Sequence, residues 1–192
     1  MAIPGLVEGR DYQIIRGGQP FDAGSGKIEV VEVFAYWCGT CAQFDPIIES
    51  WAAKLPSDVS FIYVPAVFNP QDNYPKAFYA AQALGIEKKA HSPTFRAIHI
   101  DRKLAPNASP EVIARHFAAY GVDAPAFLST MQSFAVNANI ARARQFATRS
   151  LVTGTPAIIV NGRYHVPLNG SLEGMLRVTE AVVSHERATA AQ

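Results

Sequence analysis

A strand that leads directly into a helix is the feature that most constrains how this chain can fold. Residues 27–36 read KIEVVEVFAY, with β-branched and aromatic residues at both odd and even positions. That pattern is typical of a strand buried on both faces of a sheet. Residues 42–55 read AQFDPIIESWAAKL and carry apolar side chains at helical spacing. Between the two lies Trp-Cys-Gly-Thr-Cys, so a C-x-x-C pair is predicted at a helix N-terminus.

Length and composition limit the classes of protein that fit. The 192 residues suit one domain, or one domain that carries a large insertion. A hydrophobic fraction of 49% with 17% charged residues allows a sizeable core and excludes a disordered segment. The net charge of +1 offers no overall electrostatic footprint, and we expect no nucleic-acid partner.

The ends of the chain leave its compartment open at this point. No stretch approaches the roughly 18 consecutive apolar residues that a membrane-spanning helix needs. The start, MAIPGLVEGRDY, lacks the basic and apolar regions of a signal peptide. A Met directly before Ala2 is equally what a mature secreted protein carries after its signal has been replaced.

The residues after the first helix predict a β-α-β unit followed by a helical block. Residues 58–67 form a second strand-like run, DVSFIYVPAV. Four short helical patterns then lie between residues 69 and 134, each with helix start signals. The start and stop signals are Asn73 with Pro75, Ser109 with Pro110, Asp123 with Pro125, and the glycines Gly85 and Gly121.

The last third of the chain predicts a helix, a hairpin and a second helix. Residues 135–151 read as one long helix. Residues 157–160 and 163–166 flank Asn161-Gly162, a dipeptide that strongly favours a type I′ hairpin turn. Residues 171–186 form an amphipathic helix with Ser171 as its N-cap.

Two cysteines in C-x-x-C spacing favour a redox pair over the alternatives. Cys38 and Cys41 are the only cysteines, which excludes a disulfide scaffold. A structural zinc site needs four ligands, and no two histidines here have the usual H-x(3 to 5)-H spacing. A zinc-binding module therefore remains the weaker interpretation, and we expect no metal.

The predicted helix N-terminus assigns different tasks to the two cysteines. Its unsatisfied N–H groups and its partial positive charge stabilise a thiolate. Cys38 lies nearest to that field, so we expect an exposed nucleophile with a lowered pKa that forms the mixed disulfide. Cys41, one turn further in, is expected to resolve it.

The order of these elements resembles that of a known family. The strand-helix junction with C-x-x-C, Gly-Thr-Pro before a strand and the Asn-Gly hairpin are similar to a thioredoxin fold, and the entry strand is expected near residues 12–15. The helical block after the second strand resembles the DsbA family of bacterial thiol:disulfide oxidoreductases. The fold class implied is α/β, a thioredoxin-like fold with an all-helical insertion. Its domains would be residues 1–66 with 140–192, thioredoxin-like, and 67–139, the inserted helical domain.

The resemblance also implies roles for residues outside the cysteine pair. Glu32 stands where the family has an acid that moves the proton of the buried cysteine; the alternative is a strand-end acid that reaches solvent. Pro156 stands where the family has a cis-proline, and the backbone of Thr155 before it would pair with substrate. Gly39 and Thr40 would tune the redox potential, where the best-known members carry Pro-His.

The two aromatic residues before Cys38 have two interpretations. Tyr36 and Trp37 form an apolar rim that binds substrate, or they are ordinary core aromatics.

The function implied by the resemblance is donation of the Cys38–Cys41 disulfide to reduced, partly unfolded secreted proteins. No cofactor is expected beyond this disulfide. A monomer in the bacterial periplasm, re-oxidised by a DsbB-type membrane quinone reductase, is implied as well. The alternatives are a reductase or isomerase with the same site, or a peptide-binding holdase whose cysteines are incidental.

Overall fold

The computed structural model describes residues 2–192, which form one five-stranded sheet and seven helices within that range. The strands are β1 Gln13–Ile14, β2 Ile28–Phe34, β3 Val59–Pro65, β4 Ala157–Val160 and β5 Tyr164–Pro167. The helices are α1 Gly39–Ala52, α2 Tyr74–Ala83, α3 Glu87–His99, α4 Pro110–Ala118, α5 Ala124–Met131, α6 Phe134–Arg149 and α7 Leu172–Ala190. The predicted type and order of every element are confirmed. The closing helix runs four residues past its predicted end.

The chain divides into two compact units. The first comprises the chain up to Phe34 together with Pro46–Val64 and Phe146–Gln192. The second comprises Ala35–Asp45 and Pro65–Gln145. The predicted domains, 1–66 with 140–192 and 67–139, follow the order of elements along the chain, whereas the two units follow from packing. The domain boundaries stay a prediction.

The sheet belongs to the first unit, and β2 lies in its interior. The strand order is β1-β5-β4-β2-β3. All seven residues of β2 are buried, as the hydrophobic residues at both parities predict. β2 pairs antiparallel with β4, with Val33 opposite Ala157 and Glu32 opposite Ile158. Helix α7 packs against β2, β4 and β5.

The hairpin between β4 and β5 turns at the predicted dipeptide. Asn161 and Gly162 have φ values of 51° and 64°, and a type I′ turn requires positive φ at both positions. The Asn161 side chain also joins the turn to its surroundings. Its Oδ1 accepts a hydrogen bond from the Glu29 N–H at 2.8 Å, and its Nδ2 donates to Glu186 Oε2 at 2.7 Å.

The second unit contains α2 to α5 together with the first part of α1 and most of α6. Two of its helix starts are capped as predicted. The Ser109 Oγ accepts from the Val112 N–H at 3.3 Å, and the Asp123 Oδ2 accepts from the Ala126 N–H at 3.1 Å. Asn73 does not cap α2 with its side chain. Its Nδ2 instead donates to the carbonyl of Ala108 at 3.2 Å, because the segment before α4 lies within its reach.

A comparison of two glycines tests the close packing of the hairpin turn. A Cβ on Gly162 would lie 1.9 Å from the Gln19 carbonyl oxygen, whereas a Cβ on Gly170, where φ is +88°, meets nothing within 4 Å. We expect Gly170→Ala to cost about 1 to 2 kcal/mol of unfolding free energy from backbone strain alone. Gly162→Ala should cost about 1 to 3 kcal/mol more, because backbone must move to relieve the overlap. Urea denaturation measures both, and equal losses would contradict the packing described.

Candidate active site

The cysteine pair lies in the first turn of α1, where the sulfur of Cys38 occupies a capping position. The carbonyl of Cys38 accepts a hydrogen bond from the Ala42 N–H at 3.1 Å, so Cys38 immediately precedes the helix. The backbone N–H of Cys41 donates to the Cys38 Sγ at 3.1 Å. A side-chain acceptor that binds the third N–H of a helix is the usual N-cap arrangement. Here the acceptor is sulfur, and the bond favours its thiolate form.

Both cysteines are buried, which corrects the expectation that Cys38 is exposed. Cys38 is 7% exposed and Cys41 is 1% exposed. The Cys38 N–H bonds to the carbonyl of Ala35 at 3.1 Å, and this tight turn draws Cys38 inward before the helix begins. Cys38 is still the more accessible of the two, so the order of attack that the sequence predicts keeps its geometric basis.

Tyr36 belongs to the core of the second unit rather than to an exposed rim. Its side chain is 2% exposed, and its ring makes edge contacts with Tyr74 and Phe95. Its hydroxyl lies 2.8 Å from His91 Nδ1, and its carbonyl accepts from His99 Nε2 at 2.7 Å. Of the two interpretations of this residue, the structure supports the core aromatic.

Trp37 differs from its neighbour because it reaches the surface. Its side chain is 37% exposed, and its indole Nε1–H donates to Asp72 Oδ2 at 2.9 Å. The ring of Phe68 lies beside it, with centroids 6.4 Å apart. Trp37 and Phe68 therefore form an exposed aromatic pair at the residue before Cys38. Sequence reasoning missed Phe68 because it lies thirty-one residues further along the chain.

His91, which lies within hydrogen-bond distance of the Tyr36 hydroxyl, brings a buried aspartate close to this core. His91 Nε2 lies 3.7 Å from Asp45 Oδ1, and both side chains are buried. Burial lowers the pKa of His91 to about 3 and raises that of Tyr36, so both side chains are uncharged at neutral pH. The contact with Asp45 is accordingly made by a neutral imidazole, and it is not a salt bridge. A neutral Tyr36 hydroxyl that donates to Nδ1 leaves the imidazole proton on Nε2, which faces Asp45.

Sequence reasoning missed Asp45 and His91. Asp45 stands four residues after Cys41 on α1, and side chains at i and i+4 share one face of a helix. This spacing could have identified Asp45 as a neighbour of the cysteine pair. His91 lies in α3, and only the packing of α3 brings it to Tyr36.

Glu32 is a buried carboxyl group in the first unit. It is 2% exposed, within a strand whose seven residues are all buried, which rules out the strand-end acid that reaches solvent. Glu29, three residues earlier, is equally buried but has an evident structural role. Its two carboxylate oxygens accept from the backbone N–H groups of Phe21 and Asp22, each at 2.7 Å.

Thr155 and Pro156 come directly before β4, also in the first unit. The peptide bond between them is cis, as the resemblance implied. The pairing of Ala157 with Val33 places this dipeptide at the same end of the sheet as the end of β2. Cys38 follows the last residue of β2 by four positions.

The described residues contain neither a cluster of metal-ligating side chains nor a helix that could span a membrane. Within residues 2–192, no group of three or more His, Cys, Asp or Glu side chains is placed to hold a metal ion. None of the seven helices over that range has the length and apolar character needed to cross a bilayer.

Comparison with known proteins identifies the family. The profile of the DSBA-like thioredoxin domain matches residues 72–177, and the thioredoxin profile matches residues 22–76. The chain is 41% identical to the thiol:disulfide interchange protein DsbA of Azotobacter vinelandii over 182 residues, 93% of this chain and 84% of the relative. It is 37% identical to the protein of that name from Pseudomonas aeruginosa, over 95% of this chain and 86% of the relative.

Solved structures agree with these sequence relationships. The crystal structure of the oxidoreductase DsbA from Xylella fastidiosa matches with a TM-score of 0.91 at 41% identity, over 95% of this chain and 98% of that one. The crystal structure of Pseudomonas aeruginosa DsbA matches with a TM-score of 0.89 at 35% identity, over 97% of each chain. With its cysteine pair at the start of α1, the chain belongs to the DsbA family of thiol:disulfide oxidoreductases, which have a thioredoxin fold.

Proposed function

We propose that this enzyme donates a Cys38–Cys41 disulfide to reduced, partly unfolded proteins. The observation that carries the proposal is the hydrogen bond from the Cys41 N–H to the Cys38 Sγ at the start of α1. Because this bond and the helix dipole stabilise the Cys38 thiolate, they favour the reduced enzyme and make the disulfide more oxidising. The name that the relatives carry, thiol:disulfide interchange protein, agrees with this chemistry.

The reaction transfers two electrons from substrate to enzyme in two exchanges. A substrate thiolate attacks the Cys38 sulfur, a substrate–Cys38 disulfide forms, and the Cys38–Cys41 bond breaks to release the Cys41 thiolate, which takes up a proton. A second substrate thiolate then attacks the substrate sulfur of the mixed disulfide and releases the Cys38 thiolate. The substrate leaves with a disulfide, the enzyme is left as a dithiol, and no other cofactor takes part.

Glu32 is the residue that we propose to exchange the proton of Cys41. Cys41 is 1% exposed, so water reaches its sulfur poorly, and a carboxyl group is the usual carrier of such a proton. Glu32 is buried in the strand that leads to the cysteine pair. Its position matches the acid of the family, and burial without solvent contact suits a group that relays a proton.

We assign substrate contact to Trp37, which is adjacent to Cys38 in sequence, and to Thr155 and Pro156, which stand at positions where the family binds substrate. Thr155 and Pro156 stand where the family pairs its backbone with an extended substrate, a form of strand addition. Trp37 offers a half-exposed aromatic surface next to Cys38. Tyr36 is withdrawn from this assignment because its side chain is buried, and its part is to support the turn before Cys38.

The cellular setting follows from the direction of the reaction. Net oxidation of protein thiols requires an oxidising compartment, which in bacteria is the periplasm. There a DsbB-type membrane quinone reductase would restore the disulfide by accepting the two electrons. We propose that the enzyme works on secreted proteins as a monomer. The inserted helical domain, residues 67–139, supplies the second unit's surface beside Trp37.

The two cysteines should behave differently when each is replaced. We expect Cys38→Ser to abolish oxidation of a reduced peptide, because no mixed disulfide can form. Cys41→Ser, oxidised by a small-molecule disulfide together with a reduced peptide that has a single cysteine, should accumulate the mixed disulfide, because neither Cys41 nor a second substrate thiol is present to resolve it. Mass spectrometry of quenched reactions measures both. Alkylation of the reduced wild type should occur at Cys38 and persist well below the pKa of about 8.5 that an ordinary cysteine has; equal labelling of both cysteines would contradict the assignment.

Glu32 and Glu29 form a matched pair of buried acids. We expect Glu32→Gln to slow the step in which Cys41 exchanges its proton by at least about tenfold near neutral pH. Glu29→Gln should instead lower stability, because an amide replaces one of two oxygens that accept backbone N–H bonds. Stopped-flow oxidation and reduction rates between pH 6 and pH 8 separate the two effects. Unchanged rates in Glu32→Gln would leave that residue with a structural role only.

Gly39 and Thr40 should set the redox potential. Gly39 is the first residue of α1, a position that suits proline, and a Cβ there would meet nothing within 4 Å. Replacing Gly39-Thr40 with Pro-His adds a cationic donor beside the Cys38 thiolate and should raise the potential. Each 30 mV rise in the redox potential corresponds to about 1.4 kcal/mol of preference for the reduced form. The reduced protein should gain that free energy of unfolding over the oxidised protein, and their denaturant midpoints measure it. A potential that stays unchanged or falls would show that tuning comes from the Thr155-Pro156 loop, and a strongly reducing wild type would favour the reductase or isomerase.

A further inference from the structure

A groove opens beside Trp37 on the surface of the second unit. It has a volume of about 470 Å³. We refer to it as the Trp37 groove, and its lining residues are Trp37, Phe68, Asn69, Gln71, Asp72, Asn73, Pro106, Asn107 and Ala108. None of the roles proposed above uses this groove beyond the aromatic surface of Trp37.

The walls of the groove are held in place by side-chain hydrogen bonds. Asp72 accepts from the Trp37 indole N–H at 2.9 Å through Oδ2 and from the Tyr74 backbone N–H at 3.0 Å through Oδ1. The Asn69 Oδ1 accepts from the Gln71 N–H at 2.9 Å. With Asn73 bound to the carbonyl of Ala108, these bonds join the loop before α2 to the loop before α4. The groove is therefore preformed, which lowers the entropic cost of binding.

The chemistry of the lining suits an extended polypeptide. Phe68, 48% exposed, and Trp37 present aromatic surface to an apolar side chain. The exposed amide side chains of Gln71 and Asn107 can donate to peptide carbonyls and accept from peptide N–H groups. Asp72 is the one charged residue among the lining residues. Each of its oxygens has a second lone-pair direction beyond the bond that it already accepts, so it can also accept from a cation.

The position of the groove relates it to the reacting sulfur. Trp37, which lines the groove, directly precedes Cys38, so the Cα atoms of these two residues are about 3.8 Å apart. An extended chain advances about 3.3 to 3.6 Å per residue. Two or three residues of such a chain span about 7 to 11 Å, a reach sufficient to extend from a cysteine bound to Cys38 to the side chain of its neighbour Trp37.

We propose that the Trp37 groove binds the substrate segment two or three residues from the reacting cysteine, and that Asp72 makes this site prefer lysine or arginine over acidic residues. The inference rests on the proposed function and adds to it a specificity-determining residue. The carboxylate attracts a basic side chain that enters the groove and repels an acidic one, while the aromatic and amide groups contact any sequence.

The test is a competition between peptides that differ in one charge. Reduced peptides with a pair of cysteines carry Lys, Gln or Glu two or three residues before the first cysteine, or at the same distance after the second. The value of kcat/KM for their oxidation by the disulfide form is measured at low and high salt. We expect Lys to exceed Glu by about threefold on one side of the cysteines, the size that one partly exposed ion pair supports. High salt should reduce the ratio.

Variants of Asp72 assign the preference to its charge. Asp72→Asn should bring the Lys-to-Glu ratio to about one, and Asp72→Glu should restore part of it. Asp123→Asn is the matched control, because Asp123 is also an aspartate at a helix start in the second unit but is not part of the groove lining. It should keep the wild-type ratio. Since each result is a ratio within one variant, a general loss of activity through a displaced Trp37 cancels.

The outcomes separate this inference from the proposed function. If the wild type oxidises none of the peptides, the proposed function fails. If it oxidises all of them with the same kcat/KM, or if Asp72→Asn retains the preference, the function stands and the assignment to the Trp37 groove is overturned.

Discussion

The start of α1 is the constraint on which the rest of the site depends. β2 is buried along its whole length, and only four residues separate its end from the first helical residue. Cys38 therefore has to serve as the residue before the helix, and its sulfur takes the place of a capping oxygen by accepting the Cys41 N–H. A helix that began one turn later would leave Cys38 outside this field and would remove the interaction that stabilises its thiolate.

Several buried polar groups around this junction hold its backbone in place. Tyr36 anchors the turn through His91 and His99, and the imidazole of His91 stays neutral because it is buried. Glu29 likewise uses its carboxylate to bind backbone N–H groups. Glu32 lies in the same strand and is equally buried, and it is the residue that we propose to exchange the proton of Cys41.

The surface around Trp37 is assembled from segments that are far apart in sequence. Trp37 supplies an indole that is held by Asp72, and Phe68 lies against it. The loops before α2 and α4 complete the wall through the bond between Asn73 and Ala108. Because hydrogen bonds hold these loops, the polar groups have defined positions, and a flexible substrate segment bound as we propose would bear most of the ordering cost.

The sequence by itself determined the elements and the cysteine pair, because both depend on local patterns. Apolar runs at strand or helical spacing, Ser and Asp caps, Asn161-Gly162 and the C-x-x-C spacing act over a few residues, and the structure has the element that each one predicts. Only the tertiary structure decided the burial of Cys38, the core position of Tyr36, and the contacts of Asp45 with His91 and of Trp37 with Asp72. Such contacts join residues up to tens of positions apart, and their distance and desolvation depend on how the helices pack, which no local pattern records.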